Sequence, residues 1–256
     1  MNSIYPSDDL ISIITPSYNS EQFIAKTIDS VINQSHQNWE MIIIDDLSTD
    51  NSCEIIENYK ATDPRIKLIK SKINQGPAYS RNSGIELAKG RYIAFLDSDD
   101  LWKPEKLKHQ LEAFKETGTA ISFSAYEWIN ENGNPLNKTI FVKKNINYSD
   151  MLNYNHIGCL TAIYDTHQTG KVYFKKIGHE DYIMWLSIIK LGHSATGINN
   201  VLAQYRIRTG SVSSNKLKMT KYQWHIYRKI ENLGLIKSMY HFMKYTYNGV
   251  KKTFFL

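Results

Sequence analysis

Asp97, Asp99 and Asp100 place three carboxylates within four positions, directly after the apolar run Tyr92-Ile93-Ala94-Phe95-Leu96. A short apolar run of this kind reads as a buried strand. Side chains alternate along an extended backbone, which predicts that Asp97 and Asp99 project to one side. Two carboxylates at the carboxyl end of a strand suit a hard divalent cation, Mn²⁺ or Mg²⁺, with positions left open for phosphate oxygens. Taken alone, the run fits a solvated acidic turn equally well.

The elements upstream repeat one pattern. Leu10 to Tyr18 is apolar and β-branched, and Glu21 to Gln34 carries helical spacing through Phe23, Ile24, Ile28, Val31 and Ile32. Met41 to Ile44 reads as a buried strand ending in Asp45-Asp46, and Ser48 or Asp50 is placed to cap the helix of Cys53, Ile55 and Ile56. Ile66 to Ile69 is a third strand, Pro77 to Ala88 a helix stopped at Gly90, and Tyr92 to Leu96 a fourth strand. Such β-α repeats predict an α/β fold with a mostly parallel sheet and helices on both faces. Ligands of these sheets gather beyond the carboxyl ends of the strands. Three of those ends are polar here: Thr15-Pro16-Ser17-Tyr18-Asn19, Asp45-Asp46-Leu47-Ser48 and Asp97-Ser98-Asp99-Asp100.

The second half is less regular. A helix is expected over Lys103 to Thr117, a strand over Ile121 to Trp128, a hairpin tip over Asn130 to Asn137 and a strand over Ile157 to Tyr164. A helix over Asp181 to Leu191 and a strand over Val201 to Tyr205 follow, and Lys216 to Lys221 reads as a junction before C-terminal helices.

Bulk properties narrow the partners. The 256 residues, 42% hydrophobic and 22% charged, suit one large globular domain with a small appended lobe, and a net charge of +6 favours an anionic partner. Two cysteines, Cys53 and Cys159, give no disulfide framework and suit a reducing cytosol. The first residues lack the pattern of a secretory signal, and no apolar run reaches the roughly 20 residues needed to span a bilayer. After Glu231 the chain carries no acid, and Lys237, His241, Lys244, Asn248 and Lys251 form one helical stripe amid apolar and aromatic residues. That pattern fits an interfacial membrane helix, and equally a terminal helix packed on its own domain with the stripe in water. Aromatic and basic residues share no face there, which disfavours nucleic acid. Self-association into a homo-oligomer is left open.

Asp46 is an acceptor suited to a base edge or ribose, the DxD to a cation against a diphosphate, and Arg81 to phosphate oxygens. Together they point to a nucleotide diphosphate. Neither a G-x-x-x-x-G-K-[ST] nor a G-x-G-x-x-G follows the first strand, which disfavours P-loop and dinucleotide-binding folds.

The segments Ile11 to Asn19, Ile43 to Asp50 and Phe95 to Asp100 together resemble family-2 glycosyltransferases of the GT-A fold, over about residues 8 to 215. The resemblance extends to bacterial enzymes of surface-polysaccharide synthesis, making O-antigen, capsule or teichuronic acid. It implies a GT-A domain over 1–215, a Rossmann-like, mostly parallel central sheet flanked by helices. The nucleotide half would be about 8–101, the acceptor half about 102–215, and 216–256 a basic, amphipathic C-terminal helical extension. The implied reaction is inverting transfer from a UDP-sugar to a lipid-linked saccharide, with Mn²⁺ or Mg²⁺ as cofactor. Residue by residue, it implies Pro16 and Tyr18 flanking the uracil, Asp46 accepting from it, and Arg81 near the nucleotide. It further implies Asp97 at the ribose or metal shell, Asp99 on the metal, and Arg206 and Arg208 with Ser211 and Ser213 on a loop over the diphosphate. His179 to Trp185 resembles the family's E-D segment, with Asp181 as catalytic base and Glu180 and Trp185 on the acceptor side. Thr161, in a segment like the family's acceptor-side strand, joins them. By itself Asp181 also fits a helix N-cap.

The family commonly shows Tyr-Arg-x-His where this chain has Tyr205-Arg206-Ile207-Arg208, and arginine is a poor metal ligand. Processive synthases carry a Q-x-x-R-W motif that is missing here, so a single-sugar transfer on undecaprenyl-diphosphate glycans at the inner membrane face is expected. Two other classes fit part of the pattern. A nucleotidyltransferase would need a Gly-rich basic loop after the first strand, and a non-catalytic nucleotide- or carbohydrate-binding module would not need Asp181.

Overall fold

The computed structural model describes residues 7–208 and 216–254. The first half alternates as expected: β1 (Ile11–Ser17), α1 (Ile24–Ile32), β2 (Trp39–Asp45), α2 (Ser52–Thr62), β3 (Ile66–Lys70), α3 (Pro77–Leu87) and β4 (Tyr92–Phe95). Then come β5 (Leu101–Trp102), α4 (Lys106–Thr117), β6 (Ile121–Ile129), β7 (Pro135–Ile140), β8 (Asn145–Ile146) and α5 (Tyr148–Asn153). They are followed by β9 (Ile163–Asp165), α6 (Thr166–Thr169), α7 (Glu180–Lys190) and β10 (Ala195–Arg206). Finally α8 (Lys216–His225) runs into a π turn (Ile226–Ile230) and then α9 (Leu235–Phe254).

All the strands join one sheet in the order β3-β2-β1-β4-β9-β6-β10-β5, with β7 on β6 and β8 on β10. β1 pairs parallel with both β2 and β4, and β9 runs antiparallel between β4 and β6. The chain winds outward from β1 to β3 and then returns to the other side of β1. That reversal opens a crevice at the carboxyl ends of β1 and β4. Every residue of β1 and β2 is buried, because helices cover both faces. Alternation divides the core in two. Ile11, Ile13, Met41 and Ile43 pack with side chains of α1, α2 and α4, while Ile14, Ile42 and Ile44 join those of α3, α5 and α7.

The approach of the α3–β4 turn to β1 admits no side chain. A Cβ on Gly90 would lie 2.6 Å from the Leu10 carbonyl oxygen and 2.7 Å from the Ser12 nitrogen. Both are backbone atoms at the start of β1 and cannot swing aside.

Several expectations are corrected. Ile157 to Tyr164 is not one strand: Cys159–Thr161 forms a 3₁₀ turn, and only Ile163–Asp165 enters the sheet. The amide and hydroxyl of Thr161 both donate to the Gly158 carbonyl, at 2.9 and 2.7 Å, closing a local turn in place of a ladder. Lys216–Lys221 belongs to α8 and is not a junction. The hairpin tip is shorter than expected, because Asn134 donates to the Asn130 side chain and β7 starts at Pro135. Asn51 stands at the N-cap of α2, yet the Asp50 carboxylate still accepts from the Ser52 amide at 3.0 Å.

The largest difference concerns α9. Its polar stripe is not a free basic face. His241 Nδ1 meets Asn153 Oδ1 at 2.9 Å and Asn248 donates to the Asn153 carbonyl at 3.2 Å, so part of the stripe packs on the end of α5. Ile236 and Tyr247 point outward instead, 83% and 70% exposed, with Met239, Tyr240 and Met243 beside them. The side chain of Lys251 lies outside the described residues. Among the described residues no helix is long and apolar enough to cross a membrane.

Gly90→Ala should therefore lower stability by about 2–3 kcal/mol, the usual cost of overpacking against groups that cannot yield. A shift in the urea midpoint with unchanged slope is the check. An unchanged midpoint would mean that β1 tolerates displacement.

Candidate active site

The carboxylate run leaves the sheet as a turn. β4 ends at Phe95, and the Asp100 amide donates to the Asp97 carbonyl at 3.1 Å, so Asp97 and Asp99 are not on the extended backbone expected for them. The turn is held from both sides. The Thr27 hydroxyl of α1 donates to the carbonyls of Ser98 and Asp100, at 2.9 and 3.0 Å. From the end of β10, the Arg206 amide donates to Asp100 Oδ1 at 2.8 Å and Arg206 Nε to the Asp99 carbonyl at 2.6 Å. Asp100 is thus a buried fastening, a role that spacing did not reveal.

Arg206 is corrected with it. Its Nη1 donates to the carbonyls of Asn130 and Glu131 and the residue is 3% exposed, so Nε and Nη1 secure the turn, and among the described residues only the buried Nη2 lacks a partner. Arg208 stands further out and bonds Asp99 Oδ2 at 2.8 Å. Ser211 and Ser213 lie outside the described residues.

Three carboxylates in one turn repel one another. Burial first, and then its neighbours Asp99 and Asp97, push the Asp100 carboxyl well above the usual range. Asp99 is raised by the same two causes, against the pull of Arg208. The turn therefore favours cations.

Arg81 supplies one from α3. It is 9% exposed and holds Asp97 Oδ1 at 2.5 Å. Burial opposes its charge, but Asp97, Cys159 and Asp181 together keep it more basic than an ordinary arginine. Glu180 is raised by burial, partly offset by Arg81. The guanidinium of Arg81 is thus paired directly with the aspartate turn and lies within electrostatic reach of the first turn of α7. The N-cap of α7 is His179, at φ +51°, and not Asp181. Asp181 is held by Asn155, whose side-chain amide donates to Oδ2 at 3.4 Å. Asn155 was not identified from the sequence, and His179 only as the first residue of the E-D segment, although Gly178 just before it signals a special backbone turn.

At the crevice's other wall, Tyr18 is 52% exposed and Pro16 is buried beneath it in β1. Asp46 is buried and accepts from the amides of Gln75 and Gly76, at 3.0 and 2.7 Å, fixing the start of the helix that carries Arg81. Asp45 accepts from the Ser48 amide and hydroxyl, and the Ser48 hydroxyl in turn accepts from the Asn19 amide. The loops after β1 and β2 are therefore zipped together.

Two acceptor-side expectations fail. Trp185 is fully buried, with its ring 6.0 Å from that of Phe95 and 6.2 Å from that of Tyr164, because it lies on the inward side of α7. Thr161 is 1% exposed and closes the 3₁₀ turn described above. Neither faces open space.

Comparison with known proteins decides the family. The sequence profile of Glycosyl transferase family 2 matches residues 12–178. The chain is 45% identical over 244 residues to TuaG of Bacillus subtilis, provisionally named a teichuronic acid biosynthesis glycosyltransferase, covering 95% of this chain and 97% of that one. The chain belongs to glycosyltransferase family 2. Within the family it is also 37% identical to WfgD of Escherichia coli, over 96% of this chain and 95% of that one. WfgD is named a UDP-Glc:alpha-D-GlcNAc-diphosphoundecaprenol beta-1,3-glucosyltransferase. The fold matches that of S. aureus TarS residues 1–349, solved with UDP-GlcNAc. The TM-score is 0.73 at 21% identity, covering 92% of this chain and 71% of that one. The fold of this family-2 enzyme is thus GT-A, as the sequence motifs implied.

Removing the Arg81 charge should be felt on α7. In Arg81→Met the Glu180 carboxyl should titrate higher than in the parent protein, because the cation that opposes its burial is gone. Carbon-detected NMR titration of the glutamate side chains reads this directly; an unmoved Glu180 would show that the two groups are not coupled.

Proposed function

We propose that this family-2 enzyme transfers one sugar, with inversion, from a UDP-sugar to an undecaprenyl-diphosphate-linked glycan in bacterial surface-polysaccharide synthesis. The observation that carries this reading is the Arg81–Asp97 ion pair, which ties α3 to the aspartate turn within electrostatic reach of Glu180 and Asp181. The name of TuaG supports the surface-polysaccharide setting, and that of WfgD the acceptor class.

Pro16 and Tyr18 would flank the uracil, with Asp46 at its edge, and Arg208 is the exposed cation within reach of the diphosphate. Among the described residues no cluster of three or more His, Cys, Asp or Glu forms a complete metal cage. The crowded carboxylates of the aspartate turn nonetheless fit a hard cation that takes its other ligands from a diphosphate. Asp97 and Asp99 would hold that Mn²⁺ or Mg²⁺ ion, which when bound stabilises the charge of the departing UDP. Asp181 accepts the proton of the acceptor hydroxyl as its oxygen bonds the anomeric carbon, and the bond from that carbon to the diphosphate breaks on the opposite face. Glu180, raised by burial, is suited to hydrogen-bond the acceptor sugar. The chain would act in the cytoplasm, peripherally on the inner face of the cell membrane, with the outward side of α9 toward lipid.

Asp181→Asn should keep UDP affinity within about twofold and lose about 10²–10⁴ in turnover, the usual worth of a general base. Titration calorimetry with UDP in the presence of Mn²⁺, beside a sugar-transfer assay on a lipid-linked acceptor, separates the two. Near-parental turnover would move the base to another residue, Glu180 first.

A further inference from the structure

A second site lies away from the catalytic crevice, between the last helices. A cavity of about 450 Å³ opens there, lined by Lys221, Trp224, His225, Arg228 and Lys229 of α8 and its π turn and by Phe242 of α9. The two rings meet edge to face, with centroids 5.5 Å apart. Because the end of α8 winds as a π turn, residues 221, 225 and 229 stay on one line. Among the described residues no acid lines the cavity. From residue 216 to the end the chain has nine lysines and arginines and one acid, Glu231. The Glu231 side chain is 5% exposed and is held by Lys190 at 2.8 Å and by the Tyr148 hydroxyl.

The cavity adjoins an apolar surface. Phe242 lines it, and Met239 and Met243, its helical neighbours, are 50% and 61% exposed, with Ile236 and Tyr247 continuing the same outward face. Cationic pocket and bare apolar face together match the two parts of one ligand, a phosphate and acyl chains. A second copy of this chain would bring like charge to like charge, and a free phosphate would leave the apolar face unused.

We propose that the α8–α9 groove binds the phosphate-bearing headgroup of an anionic phospholipid, with the outward face of α9 seated among the acyl chains. The site deepens the membrane contact proposed above and rests on it. It also touches the catalytic helix: the α8 ring of Tyr222 packs against Gly178, where a Cβ would lie 2.7 Å away, and His179 Nε2 meets the Met219 carbonyl at 3.2 Å. A lipid held in the groove is thus one layer of side chains from the turn that sets Asp181.

Co-sedimentation of the full chain with phosphatidylcholine vesicles, with and without phosphatidylglycerol, tests the site. The expected result is binding tighter by about 10-fold or more when phosphatidylglycerol is present. Lys221→Ala/Lys229→Ala should lose most of that preference, and Ile236→Ser/Met243→Ser should lose binding to either vesicle. All four positions are on the surface, and unchanged far-ultraviolet circular dichroism confirms folding. A Lys60→Ala/Lys108→Ala control, of equal charge change elsewhere, should keep the preference; its loss would overturn the site in favour of diffuse attraction. Release from vesicles by inorganic phosphate, at ionic strength matched with sodium chloride, would overturn it in favour of a free-phosphate site. Sugar transfer by the parent protein to a short soluble acceptor separates the two readings. Turnover without vesicle binding overturns the lipid site alone, and vesicle binding without turnover supports the lipid site while removing the catalytic reading.

Discussion

A single buried cation governs the arrangement of this site. Arg81 sits in the crevice with little access to water, and a charge so placed is costly unless well paired. Its ion-pair partner is Asp97, from the turn after β4, while Asp181 and Glu180 at the start of α7 act on it through their charge. Any large movement of the aspartate turn away from α3 leaves the guanidinium under-paired. Asp46 extends the constraint by fastening the start of α3 to the end of β2.

The aspartate turn shows the same economy from the other side. Thr27 and Arg206 hold its backbone, while Asp100 is buried to receive the Arg206 amide. Two carboxylates are left near the crevice, at Asp97 and Asp99, each already facing an arginine. Geometry fixed in advance is what charge stabilisation in a transfer reaction requires, since little reorganisation remains when the leaving group departs. Arg206 and Arg208, two residues apart, divide the work: one is built into the backbone framework and the other stays at the surface.

Much of the fold was legible because β1, β2 and β4 are buried on both faces and so read as unbroken apolar runs ending in polar residues. The family motifs singled out Asp46, Arg81, Asp97, Asp99 and Asp181, and the structure pairs Arg81 directly with Asp97. The errors have physical causes. Trp185 and Thr161 have the right spacing but the wrong facing, and facing on α7 and at the 3₁₀ turn depends on partners distant in sequence. Arg206 was read by its charge, whereas its partners are backbone carbonyls that no motif displays. The turn at Asp97 escaped an alternation rule because the strand stops two residues earlier. The C-terminal stripe misled similarly: Asn153, some 90 residues upstream, turns His241 and Asn248 inward.

The fastening of Asp99 and Asp100 by Arg206 has a consequence for synthesis. The first four strands, all parallel, are complete in sequence by Phe95 and can assemble once β4 emerges. The aspartate turn cannot be finished then, because its lock is made more than a hundred residues later. A nascent chain paused after α4 would hold a nearly formed sheet with a loose turn at its mouth. Long-range closure of this kind is slow relative to local helix formation. The aspartate turn is therefore among the earlier parts to be translated and among the last to acquire its final shape.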